Sequence, residues 1–421
     1  MTRGRGVFRR GLRGPVMPGT RPAPPPFGRR YRRAWAEIDL DAVRHNTAVM
    51  RAVSTPAAVC AVVKADAYGH GSVPVAKAAL AGGAAGLAVA LVEEGVVLRE
   101  AGVHGPVLLL SEPPPDAYEA VVVAGVTPTL YSLEGVARAG EAARHAGTRL
   151  SVHVKVDTGM HRVGAEPSSV PAVVAAIAED PLLSLDGLWT HLAVAEGETD
   201  EDRLFTRRQL AAFDEVVADV RRTGTVPAVL HAANSAAAVV WPEARYDMVR
   251  AGIALYGEAP SPGVARALAE ATGGARLRPV LSLRAEVAAV RQLPAGARPS
   301  YGRRRELPAP SLVATVPVGY ADGVPRALFD AGGEVLIGGR RRPLAGMVTM
   351  DQIVVDCGPE SLVAVGDEVV LLGSQGREQV TAGEWADRLG TISYEVLCGI
   401  GPRVPRRFVG GDVPAEDGAG G

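Results

Sequence analysis

The stretch AAVCAVVKADAYGHGSVPVAKAALAGGAAGLAVALV, Ala57 to Val92, holds one complete copy of the unit from which most of the chain is built. An apolar run (AAVCAVV) ends at a lysine and a glycine-bearing polar loop. An Ala-rich segment (SVPVAKAALAGG) follows and stops at Gly82 and Gly83, and a second apolar run (GLAVALV) then begins. Short apolar runs closed by polar or glycine residues read as buried strands, and Ala-rich segments ending on glycine read as helices. The rhythm continues to Gly257 through PVLLLS, VTPTLYS, RLSVHVKV, LDGLWTHL, AVLHAANS and DMVRAGIALYG, with EEGVVLREAG, LEGVARAGEAARHAG and RLFTRRQLAAFDEVVADVRRTG as helical segments between them. Eight strand-like runs alternating with helices over roughly 200 residues predict an α/β fold, a (β/α)8 barrel of the TIM type.

Outward from that unit the texture changes. From Leu277 on, short runs such as VLSLRAEVAAV, SLVATVPVG, EVLIGG, QIVVDC and DEVVLLG are separated by Gly/Pro turns, which predicts a mostly β C-terminal domain. The expected organisation is a disordered Arg/Pro-rich leader (1–33), the barrel (34–257), the β domain (258–409) and a disordered tail (410–421). The alternating strand at 35–40, WAEIDL, is expected to join the C-terminal sheet.

The 421 residues are 47% hydrophobic and 22% charged, an ordinary globular composition long enough for two cores. A net charge of -1 gives no bias toward nucleic acid or an anionic membrane. The longest Ala/Gly/Val/Leu stretch, Ala78 to Val92, is short and broken by glycines, so no membrane span is expected. The leader's Arg9-Arg10 pair has no apolar segment behind it, which argues against export. Three scattered cysteines without a C-x-x-C fit a reducing, cytoplasmic compartment.

Against 42 arginines stand only three lysines, Lys64, Lys77 and Lys155. Arginine stays protonated, whereas a desolvated lysine can lose its proton and act as a base or form a Schiff base. Lys64 ends the first strand-like run, and the open mouth of such a barrel lies at the strands' carboxyl ends, so Lys64 is the candidate nucleophile. Lys77, inside a helix, reads as surface. Barrels of this type often hold a phosphate after strands 7 and 8. Here those loops carry Asn234 and Ser235, then Arg250, Gly252 and Ile253, where a hydroxyl and a side-chain-free backbone can meet an anion. No Walker A loop or G-x-G-x-x-G is present to argue for a nucleotide, and the eight histidines are scattered without an H-E-x-x-H, so no metal is expected.

Nine motifs in order, AVVKADAYGHG, KVDTGMHRVG, THLAVAEGETD, HAANSA, VRAGIALYG, PSYG, PVGYADG, GMVTMDQ and TISYEVLCGIGPRVPR, make the chain from about Ala34 to Arg407 resemble the alanine racemases. That family binds pyridoxal 5'-phosphate (PLP) on a (β/α)8 barrel followed by a β domain. The resemblance implies that Lys64 is the Schiff-base lysine and one of two catalytic bases, with Tyr301 as the other on the opposite cofactor face. It implies phosphate contacts from Tyr68, Ser235, Tyr394 and the Gly252 and Ile253 backbone, with Asn234 in the same loop. Arg250 would face the ring nitrogen, held by His191. Arginine has no acceptor, so that nitrogen would stay unprotonated and the ring a weak electron sink. Arg162, Met350 and Asp351 would border the substrate.

Lys155 is either carbamylated, as in many family members, or an ordinary lysine paired with Asp157. Thr349 stands where Cys or Ser is common and Ala251 where Pro is frequent; neither change removes a functional group. The implied function is a PLP-dependent, homodimeric racemase with shared active sites, interconverting L- and D-alanine and supplying D-alanine for peptidoglycan. The alternatives are a racemase of a larger amino acid on the same fold and a non-catalytic PLP-binding protein. A decarboxylase of the same architecture is disfavoured by the PSYG tyrosine.

Overall fold

The computed structural model describes residues 32–411; of the leader (1–33) and tail (410–421) expected to be disordered, residues 1–31 and 412–421 lie outside the described residues. The chain opens with strand β1 (Ala34–Asp39) and a helix, Leu40–Ser54. That helix starts where it does because the Asp39 carboxylate accepts from the Asp41 and Ala42 backbone N–H groups, satisfying donors that a helix start leaves orphaned. Its buried face runs through Val43, Asn46, Thr47, Met50 and Val53, the three-and-four spacing of one helical stripe.

Eight parallel strands follow: β2 (Ala58–Val62), β3 (Gly86–Val89), β4 (Val107–Leu109), β5 (Thr129–Leu130), β6 (Leu150–Lys155), β7 (Leu183–Trp189), β8 (Val229–His231) and β9 (Met248–Ala251). They form two four-stranded ladders, β4-β3-β2-β9 and β5-β6-β7-β8. Backbone bonds join the ladders into a ring. On one side Leu109 N–H donates to Thr127 O (2.9 Å) and Thr127 N–H to Val107 O (2.8 Å); on the other, Asp247 N–H reaches Leu230 O (3.0 Å) and Arg250 N–H reaches Ala233 O (2.9 Å). The result is a closed (β/α)8 barrel.

Several strands are shorter than their apolar runs. VTPTLYS yields only Thr129–Leu130, since Pro128 has no N–H to give to the ladder. DMVRAGIALYG splits at Gly252 into β9 and a 3-10 turn, Ile253–Tyr256. That turn is pinned by the buried Asn46, whose amide donates to Leu255 O (3.0 Å) and Arg278 O (2.8 Å). Gly257 closes the turn with φ 91°, and a Cβ there would lie 2.1 Å from Arg278 O, so only glycine lets the chain pass.

Beyond the barrel, β10 (Leu281–Glu286), β11 (Ala289–Leu293), β12 (Ser311–Val316), β13 (Glu334–Ile337), β14 (Arg340–Pro343), β15 (Ile353–Gly358), β16 (Glu368–Gln375), β17 (Glu378–Val380) and β18 (Arg406–Val409) form two sheets. One has the order β14-β13-β16-β10-β1-β18, with β17 on β16, and the other is β11-β12-β15. β1 therefore sits between β10 (antiparallel) and β18 (parallel). This region also holds helices that its β-rich sequence hides, Pro262–Ala271, Ala382–Leu389 and Ser393–Cys398. Among the described residues no helix is long and apolar enough to cross a membrane.

Candidate active site

Lys64 stands just past the end of β2, half-buried, and its amine is pulled below the ordinary lysine range by burial and by the Arg162 cation, against an opposing pull from Glu94. The four residues after it, Ala65, Asp66, Ala67 and Tyr68, all have left-handed helical backbone, with φ between 51° and 54°. None is glycine, and each costs roughly 1–2 kcal/mol in that conformation. The turn brings the Tyr68 ring against Tyr256 (centroids 4.6 Å) and near Tyr394 (6.0 Å). Its hydroxyl comes within 2.6 Å of where a Cβ on Gly252 would stand, so glycine at 252 is what lets the phenol in.

Around that phenol gather groups that donate to an anion. Ser235 Oγ accepts from Gly252 N–H (2.9 Å) and Ala254 N–H (3.4 Å), which leaves its own hydroxyl hydrogen to donate. Asn234 caps the short helix Ser235–Val240, its side-chain oxygen accepting from Ala237 N–H (3.0 Å), which fixes the loop that presents Ser235. Burial raises the Tyr68 and Tyr394 phenols well above their ordinary range, so both keep their protons and can donate.

Arg250 is buried near the end of β9. One nitrogen, Nη2, faces Thr190 O (2.8 Å), Ala232 O (2.9 Å) and His191 Nδ1 (3.1 Å); Nη1 donates to His231 Nδ1 (2.8 Å). Guanidinium only donates, so both imidazoles must accept there. His231 then carries its proton on Nε2 and gives it to His153 Nδ1, 3.0 Å away. Burial, reinforced by Arg250, keeps His191 and His231 far below the ordinary histidine range and His153 at about 4, so all three are neutral at pH 7. Burial lowers Arg250 itself only to about 10, which leaves it cationic.

Trp189 forms the floor, stacked on His231 (5.4 Å), with Arg250 4.5 Å and Lys155 Nζ 4.7 Å from its ring centroid. Lys155 is buried and depressed to about 8, by burial first and then by Arg250 and Arg162. The pairing with Asp157 that the sequence left open is not formed. Asp157 Oδ1 accepts from Gly159 N–H and His161 N–H (3.0 Å each), and among the described residues Lys155 has no ion pair.

Lys64, Tyr68, Lys155, Arg162, His191, Asn234, Ser235, Arg250, Gly252, Ile253 and Tyr394 thus line one cavity of about 500 Å³, with Trp189 and Cys398. Among its described lining residues stand four cations and no carboxylate. Tyr301, Met350 and Asp351 are elsewhere on the same chain, around a second cavity of about 510 Å³ with Tyr320 and Arg326. Tyr301 is 75% exposed there. Trp189, His231 and His153 escaped the sequence reading. Each lies on a strand, at the end or near it, and that position was the available signal. Among the described residues no cluster of His, Cys, Asp or Glu could hold a metal ion.

Residues 38–260 match the family model described as alanine racemase, N-terminal domain, and residues 280–408 the one described as alanine racemase, C-terminal domain. An alanine racemase of Symbiobacterium thermophilum is 45% identical over 385 residues, covering 90% of this chain and 98% of that protein. The solved alanine racemase of Streptomyces lavendulae, a D-cycloserine producer, superposes with a TM-score of 0.83 at 40% identity, covering 91% of this chain and 98% of that one. The alanine racemase of Bacillus anthracis, solved with bound L-Ala-P, does so with a TM-score of 0.82 at 36% identity, covering 91% and 96%. By both of its halves and over nine-tenths of its length, the chain belongs to the alanine racemase family.

Proposed function

We propose that the chain interconverts L- and D-alanine with PLP bound in the barrel mouth, as a cytoplasmic homodimer whose active sites draw on both subunits. The observation that carries this reading is the cavity beside Lys64. It has room for a phosphorylated pyridine, its described lining carries cations and no carboxylate, and the hydroxyls of Tyr68, Ser235 and Tyr394 stand in it with Arg250.

The residues fit PLP on their own chemistry. Tyr68, Ser235, Tyr394 and the Gly252 and Ile253 N–H groups would hold its phosphate, with Asn234 fixing their loop. Arg250 would place a donor at the ring nitrogen, held by His191 and His231. When bound, PLP supplies an aldehyde that captures amines and a ring that takes up charge when the substrate Cα loses its proton. Lys64 Nζ, its affinity for a proton weakened by burial, takes or returns that proton on one face. The partner subunit's Tyr301 does the same on the other. Arg162 sits beside the substrate, bordered by Met350 of the partner subunit and Asp351 of the partner subunit. In this reading residues 34–257 carry the cofactor and 258–409 the second base. The D-alanine formed would feed peptidoglycan assembly.

The test is racemisation across a panel of L-amino acids, followed by chiral chromatography. Alanine is expected to turn over at least about tenfold faster per active site than any larger side chain, the discrimination that a pocket excluding a few methylenes provides. A larger amino acid turning over faster would replace the substrate, and no turnover at all would leave a PLP-binding protein.

We further propose that Lys155 is carbamylated. With a pKa of about 8 it is roughly one-tenth free amine at pH 7, the form that adds CO2. The resulting carbamate would set an anion among the cations Lys64, Arg162 and Arg250. Native mass spectrometry in bicarbonate is expected to show the added mass of one CO2, lost on acidification and missing from Lys155→Gln. An unmodified wild-type protein would refute it.

A further inference from the structure

The strained turn after Lys64 raises the question of what holds it. Four successive residues in left-handed backbone do not persist on their own, so neighbours must tie them down. Its far end is well tied. Asp66 Oδ1 accepts from Ser72 N–H (2.7 Å), His70 Nδ1 meets Ala67 O and Tyr68 O (2.9 Å each), and Arg406 Nε donates to Gly69 O (2.9 Å). Its near end, at the residue that follows Lys64, meets a single side chain among the described residues. Ala65 N–H donates to Glu94 Oε1 at 2.6 Å. The other oxygen of the same carboxylate, Oε2, accepts from Ala90 N–H (2.8 Å) and Leu91 N–H (3.1 Å), at the corner between β3 and the helix Val92–Glu100.

We propose that Glu94 is a positioning residue for Lys64: its carboxylate clamps the start of the left-handed turn to the β3 corner and so fixes where the lysine amine stands in the barrel mouth. The proposal rests on the reading of Lys64 as the reacting amine. Both oxygens are spent as acceptors of backbone N–H groups, a task that needs a carboxylate of this length. A glutamine offers one oxygen and turns an NH2 toward a donor, so one arm of the clamp opens; an aspartate keeps the charge but falls a methylene short. The competing role is that of an ordinary helix cap, since Glu94 also closes the first turn of its helix through Leu91 N–H. A cap affects stability and leaves the lysine where it was.

The experiment compares Glu94→Gln and Glu94→Asp with Ser261→Ala, which removes a cap from the helix Pro262–Ala271, remote from Lys64 in the chain and outside its cavity. Each protein is prepared with PLP. Three quantities are read: hydrogen exchange of the peptide spanning residues 63–71, the PLP dissociation constant, and kcat and KM for alanine. For both Glu94 variants, exchange is expected to accelerate at least about tenfold, PLP to bind about tenfold more weakly, and kcat to fall tenfold to a hundredfold, the scale of a misplaced reacting group. KM should change by less than about threefold. Ser261→Ala should lower only the melting temperature. Exchange and PLP affinity unchanged in Glu94→Gln, with only Tm reduced as in Ser261→Ala, would make Glu94 a cap and overturn the proposal. Wild-type behaviour of Glu94→Asp would do the same, by assigning the effect to charge. If the wild-type protein bound no PLP, the functional reading would fail while the exchange comparison still decided the clamp.

Discussion

Replacing Lys64 with arginine is expected to leave a folded protein that no longer binds PLP covalently and racemises alanine on the order of 10⁴-fold more slowly. Arginine keeps the length and charge of the side chain, so the electrostatics of the cavity barely change. What disappears is the free amine, because guanidinium stays protonated throughout the working pH range and has no usable lone pair. Burial and the neighbouring Arg162 cation already weaken the hold of Lys64 on its proton, and arginine cannot respond in the same way. The measurement is D-alanine formation together with borohydride trapping of PLP and peptide mapping. In the wild type the label belongs on Lys64. Lys77 is exposed on the helix Ser72–Ala81, and Lys155 lies deep in the cavity, so a label on either would move the reacting amine and sink the assignment.

The second large effect is a recovery of activity. Lys64 and Tyr301 line separate cavities of one chain, yet a two-base racemisation needs them on opposite faces of one substrate. If the partner supplies Tyr301, then Lys64→Ala and Tyr301→Phe, each nearly inactive alone, should complement one another. Unfolding, mixing and refolding the two makes about half of the dimers mixed, each with one site carrying both lesions and one carrying neither. Roughly a quarter of wild-type activity should therefore return, for independent sites that refold reversibly. With mixed dimers verified by mass, an absence of recovery would place both bases in one chain and end the shared-site model.

How legible all this is in the sequence depends on how local the cause is. The barrel can be read from the alternation of apolar runs and Ala-rich segments, because burial on both faces of a parallel strand leaves a local signature. The helix Pro262–Ala271 bears local signs, Ser261 as cap and proline at its first position, but it is a short element set against a long β-rich stretch. The left-handed turn is only partly local in cause: His70 and Ser72 hold its far end from a few residues away, whereas Glu94 and Arg406 reach it from elsewhere in the chain. ADAY contains no glycine to announce the turn, so its conformation cannot be read from composition. The same holds beneath the site. Arg250 could be singled out from its motif, whereas the chain of His231 and His153 behind it depends on β6, β8 and β9 meeting inside the ring. Tyr301 was nameable only by resemblance, for nothing in one chain brings it to Lys64.

The placement of β1 bears on how the molecule is made. Its two neighbours are distant in the chain, β10 beginning at Leu281 and β18 at Arg406. A nascent chain emerging from the ribosome can assemble β2 to β9 while β1, already outside, has a partner on neither side. Its final edge is covered only when Arg406 to Val409 appear, with Ala36 N–H bonded to Pro405 O (2.9 Å) and Arg407 laid over the Trp35 ring at 4.0 Å. A chain halted by a late stop codon before Arg406 would carry the whole barrel and nearly all of the second sheet, and still present β1 as an open strand edge, the feature on which unfinished chains pair with one another. The seal on that edge thus forms only in a chain that includes β18 through Val409.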